Sequence, residues 1–110
     1  MIVVDASVAV KWLWPEPGHV EAKQLLKSGT PLVAPSVIRL EVAGAILRRF
    51  RNGQLTEAET HSLLASWSRI LQLGVLRTLA TDDLFDLAVA TSIVARHPLM
   101  DCLYVAAGKD

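Results

Sequence analysis

Three short apolar runs, Ile2-Val3-Val4, Leu32-Val33-Ala34 and residues 75–79, each lie ahead of a longer stretch with helical spacing. Runs this short and β-branched read as strands buried on both faces, and their alternation with helices predicts a mostly parallel sheet. Right-handed crossovers then place helices on both faces, a three-layer α/β/α domain whose ligand site lies beyond the carboxyl ends of the strands. The helix signals agree with this reading. Residues 8–13 form a short helix stopped by Pro15 and Pro17, and residues 20–27 a second ended by Gly29. Pro35-Ser36 supplies a turn and an N-cap for a long helix reaching Arg51, closed by Asn52-Gly53. Thr56 with Glu59 has capping-box spacing ahead of the stripe Leu63, Leu64, Trp67, Ile70 and Leu71, which ends at Gly74. Thr81-Asp82-Asp83 opens a helix to about Arg96, Pro98 breaks it, and a last helix begins near Asp101.

The chain has 110 residues, room for one domain and one core, and its 52% hydrophobic content with mean hydropathy +0.37 suits a sheet covered on both faces. Eleven basic residues balance eleven acidic ones, so any contact with nucleic acid must come from a local cluster. A single cysteine, Cys102, excludes an internal disulfide and a thiolate cage, while His19, His61 and His97 lack the short spacing of a zinc site. Oxygen ligands remain for any metal. With neither an export signal nor a membrane-length apolar run, the expected location is the cytoplasm.

Three acidic residues stand where strands end or helices begin. Asp5 closes the first strand, a position that aims it at the ligand crevice but equally suits an N-cap. Glu41 interrupts Val37-Ile38, Leu40 and Val42-Ala43, where an unpaired charge is costly to bury. An arginine, exposure on the helix edge, or a metal shared with Asp5 would each compensate it. Asp101 lies just after His97-Pro98, where a helix N-terminus favours its charge. Bare carboxylates that converged would repel one another, and a shared cation removes that cost.

These residues together resemble the PIN domain in its VapC toxin form. The resemblance rests on Ile2-Val3-Val4-Asp5-Ala6-Ser7-Val8, on Ala34-Pro35-Ser36 leading to Leu40-Glu41-Val42-Ala43-Gly44-Ala45, and on His97-Pro98 with Asp101-Cys102-Leu103-Tyr104-Val105-Ala106. It implies a metal-dependent endoribonuclease, the toxin of a toxin–antitoxin pair. Asp5 and Asp101 would hold Mg²⁺ or Mn²⁺, and Glu41 would complete the catalytic site directly or through water. An antitoxin protein covering the groove and a homodimer are the implied partners.

Domains of this type continue past the Asp101 helix into a strand with a further acid. Here the sequence ends at Gly108-Lys109-Asp110, and Asp110 would stand about 13 Å from Asp101 along one helix at roughly 1.5 Å per residue. The expectation is therefore one PIN-like domain over residues 1–110, shortened at its C-terminus, with an exposed sheet edge beside the first strand. A competing reading is an impaired remnant that only dimerises or binds antitoxin. A receiver- or phosphatase-type phosphoryl-transfer domain is disfavoured because Asp5-Ala6-Ser7 has no second acid two residues on. Arg48, Arg49 and Arg51 suit a helix C-terminus, with RNA phosphates as the alternative, and Asp82, Asp83 and Asp86 suit a helix start. Trp12 and Trp14 read as core or dimer contacts, and Cys102 and Tyr104 as packing residues.

Overall fold

The computed structural model describes residues 1–109, so the expectation for Asp110 lies outside the described residues. Each apolar run supplies a strand: β1 (Ile2–Val3), β2 (Leu32–Pro35) and β3 (Leu76–Leu79). They pair parallel in the order β1-β2-β3, with Ile2 opposite Leu32 and Leu32 opposite Leu76. Parallel neighbours cannot be joined by a tight turn, so helices span each crossover. Between β1 and β2 come α1 (Ala6–Lys11) and α2 (His19–Lys27), and between β2 and β3 come α3 (Ile38–Arg51) and α4 (Glu57–Leu73). After β3 the chain forms α5 (Thr81–Ala95) and α6 (Leu99–Ala107). Three parallel strands flanked by six helices are the α/β architecture expected from the alternation.

The larger core takes Val4, Leu32, Ala34 and Leu76 from the sheet region, Ala9 and Trp12 from the first helical segment, and Ile38, Val42, Ile46 and Trp67 from α3 and α4. A smaller core joins Leu84 and Ala88 of α5 to Cys102, Leu103, Ala106 and Ala107 of α6, with Val37 and Leu79 packed against it. The indole N–H of Trp12 donates to the Ala22 carbonyl at 2.8 Å, and that of Trp67 to the Arg39 carbonyl at 3.2 Å, so both large rings are buried with their polar tips satisfied.

Local signals place most helix ends. The Thr56 hydroxyl accepts from the Glu59 amide at 3.1 Å while the Glu59 carboxylate accepts from the Thr56 amide at 2.8 Å, closing the expected capping box. These bonds hold the Glu59 carboxyl below its ordinary value. At the other end of α4, Gly74 turns the chain with φ +74, a conformation that a side chain would strain.

Two boundaries differ from expectation. Ser36 does not cap α3, whose N-cap is Val37 without a side-chain bond. Its hydroxyl instead pairs with the Thr81 hydroxyl at 3.0 Å and accepts from the Thr81 amide at 3.3 Å, because the parallel register brings the end of β3 beside the end of β2. The last helix starts at Leu99, two residues ahead of Asp101, with Pro98 in the cap position, so Asp101 lies within the first turn.

β1 pairs with β2 alone and forms an edge of the sheet among the described residues. The end of α6 lies close against it: a Cβ at Gly108 would stand 2.9 Å from a methyl of Val3, so a larger residue there would push α6 off the strand.

α3 separates its two faces sharply. Ile38 and Val42 are fully buried, whereas Leu40 is 71% exposed. Ile38→Ala is expected to lower the unfolding free energy by about 2–5 kcal/mol through the cavity it leaves. Leu40→Ala should change it by less than about 0.5 kcal/mol. Urea unfolding of both variants checks the contrast.

Candidate active site

The carboxyl end of β1 delivers Asp5, which sits in extended backbone (φ −95, ψ 172) immediately before α1. Its Oδ1 accepts from the Val8 amide at 3.0 Å and from the Ser7 hydroxyl at 2.7 Å. Asp5 is thus the N-cap of α1 and also part of a surface concavity, so the two readings left open by the sequence coincide in one residue. Ser7 supports the carboxylate rather than the backbone.

Glu41 occupies the first turn of α3, half-buried at the edge of the Ile38–Val42–Ile46 stripe. Asp101 occupies the first turn of α6 and is exposed. The two helix starts and the end of β1 meet at one side of the sheet. Asp5, Glu41 and Asp101 line a single concavity of about 320 Å³ together with Ala6, Ser7 and Tyr104.

The compensation of Glu41 differs from the arginine or edge exposure considered from sequence. The Tyr104 hydroxyl donates to its Oε1 at 2.6 Å, linking α6 to α3 across the concavity. A phenol of this kind is a strong neutral donor to a half-buried carboxylate, and it stands where an arginine or lysine partner would otherwise be expected. Tyr104, read from sequence as a packing residue, is therefore a polar component of the site. The available signal was its position three residues after Asp101, which places both on one face of α6.

Burial, the hydrogen bond to Glu41 and the negative charges of Glu41 and Asp5 all push the Tyr104 hydroxyl above its ordinary value of 10.0. The direction fixes its role at neutral pH: it is a proton donor and carries no charge. The charge of Asp5, which lines the same concavity as the Tyr104–Glu41 bond, is the smallest of these contributions.

The donor set suits a hard divalent cation, since the polar side chains among the lining residues are three carboxylates and two hydroxyls. As placed, no three His, Cys, Asp or Glu side chains among the described residues stand close enough to form a ready-made metal cage. One oxygen each of Asp5 and Glu41 is engaged by protein donors, so binding a cation requires the carboxylates to close on it.

The remaining polar candidates lie elsewhere. Arg49 donates to Glu16 at 3.1 Å and stacks over Trp14 at 4.7 Å, clasping the segment after α1 onto the end of α3. Arg48 and Arg51 stand roughly 10 and 15 Å further along the helix axis from Glu41 at about 1.5 Å per residue, too far along to form a rim beside the acidic cleft. Asp82 and Asp83 lie in the first turn of α5. No helix among the described residues is long and apolar enough to cross a membrane.

Tyr104 is the only tyrosine, so tyrosinate absorbance reports it alone. Its raised folded value means that the bond contributes stability below pH 10, which is lost as the pH climbs further. Ionisation should therefore begin well above pH 10 in the wild type and move down toward 10 in Glu41→Gln. A spectrophotometric alkaline titration of the two proteins checks this.

Comparison with curated proteins yields no match. Comparison with protein-family models matches the PIN domain over residues 2–107, which takes in all three strands, all six helices and the acidic concavity. PIN domains are typically nucleases that use divalent metals. With the match running through nearly the whole chain, from β1 to the end of α6, this protein belongs to the PIN domain family.

Proposed function

We propose that the chain is a Mg²⁺- or Mn²⁺-dependent endoribonuclease acting as the toxin of a type II toxin–antitoxin pair. The observation that carries this reading is the lining of one concavity by Asp5, Glu41 and Asp101, three acids 36 and 60 positions apart in sequence. Membership of a family typically composed of nucleases supports the reaction class. The sequence blocks around the three acids, which resemble VapC toxins, support the narrower assignment.

When bound, the divalent ion supplies Lewis-acid chemistry, activating water and neutralising charge that develops on the cleaved phosphate. Asp5 and Asp101 hold it through carboxylate oxygens, and Glu41 completes the site directly or through water. Ser7 and the Val8 amide, both on Oδ1, fix the orientation of Asp5. Hydrolysis breaks one P–O bond as water adds to phosphorus, and no covalent enzyme intermediate is needed. An antitoxin peptide that reaches the cleft blocks it. The exposed outer face of α5, with Ile93 at 73% and Val94 at 85% exposure, supports association with a second copy.

Purified protein is expected to cleave RNA with added Mg²⁺ or Mn²⁺ and to stop when a chelator is in excess. Asp5→Asn should lower the rate by about 100-fold or more, since it removes a charged ligand. Cleavage that survives either change would defeat the assignment.

A further inference from the structure

We propose that Tyr104 is a positioning residue of the acidic site, whose hydroxyl pins one oxygen of Glu41 so that the other stays turned toward a cation shared with Asp5 and Asp101. The inference rests on the proposed function of the same cleft and goes beyond it by assigning a role to a residue outside the acidic trio.

Several observations converge on this role. Tyr104 lines the same concavity as the three acids, and its hydroxyl lies 2.6 Å from Glu41 Oε1. Glu41 has no arginine or lysine partner among the described residues, so this neutral donor carries the specific restraint on its carboxylate. The Tyr104 ring packs against the larger core, which restricts the hydroxyl's travel. Asp101 sits one turn earlier on α6, so the helix that contributes one acid also carries the group holding another.

Chemically, the pairing leaves the ligand charge intact. A lysine or arginine at this position would neutralise Glu41 and compete with a divalent ion, whereas a phenol orients the carboxylate without a compensating positive charge.

The test is Mn²⁺ binding by wild type, Y104F, E41Q and the Y104F/E41Q double variant. It is followed by electron paramagnetic resonance of free Mn²⁺, with circular dichroism confirming that each protein is folded. Y104F keeps the ring and is expected to weaken Mn²⁺ binding about tenfold, in the range found for groups that orient a ligand. In the E41Q background the same substitution should change binding less than about twofold, because the partner to be oriented is already lost. RNA cleavage by Y104F should fall at low Mn²⁺ and recover at high Mn²⁺, which a general loss of structure would not permit. Equal Mn²⁺ affinity for wild type and Y104F, or an equal loss in both backgrounds, would overturn the role of Tyr104 while leaving the cation site standing. Failure of the wild type to bind Mn²⁺ would instead overturn the site itself, and this inference with it.

Discussion

Gathering carboxylates at one sheet edge is the constraint to which the rest of this structure answers. Asp5, Glu41 and Asp101 share a concavity, and like charges brought together oppose folding unless something offsets them. The protein offsets them with neutral donors. Ser7 and the Val8 amide bind Asp5, the Tyr104 hydroxyl binds Glu41, and Asp101 stays exposed in the first turn of a helix, where backbone amides favour its charge. None of these donors carries a positive charge, so the cleft keeps the negative potential that would attract a divalent ion.

Topology is what brings the acids together. Parallel strands all deliver their carboxyl ends to one side of the sheet, and each following helix begins there. Asp5 comes directly from β1, and Glu41 comes from the first turn of the helix after β2. Asp101 belongs to neither strand. It is placed by α6, which packs on α5 through the smaller core and reaches β1 at Gly108. The site therefore depends on the packing of α6 as much as on the sheet. The Tyr104–Glu41 bond is the polar part of that attachment.

Much of this was legible beforehand because the signals were local. A β-branched run, a capping box and a glycine after an apolar stripe each depend on a few neighbouring residues. Strands, helices and the Gly74 turn accordingly lie within one or two residues of their expected places. Expectation failed where the partner was distant in sequence. Ser36 looked like a cap because serine caps helices, yet its bonds run to Thr81, 45 positions away. Tyr104 does pack against the larger core, as expected, but its hydroxyl bond to Glu41, 63 positions away, has no local signal. Arg49 lies in the last turn of α3, as the dipole reading expects, and what the local pattern does not show is its clasp on Glu16 and Trp14.

The sequence by itself determined the α/β class, the order of the elements and the three acids worth watching, because period, capping and strand-end placement are written in residues close together along the chain. Only the tertiary structure decided that those acids line one cleft, and that a tyrosine rather than an arginine holds Glu41. The physical reason is that a hydrogen bond or a shared concavity depends on distances of a few ångströms between helices. Those distances are set by how α6 packs on the sheet, and no local pattern specifies them.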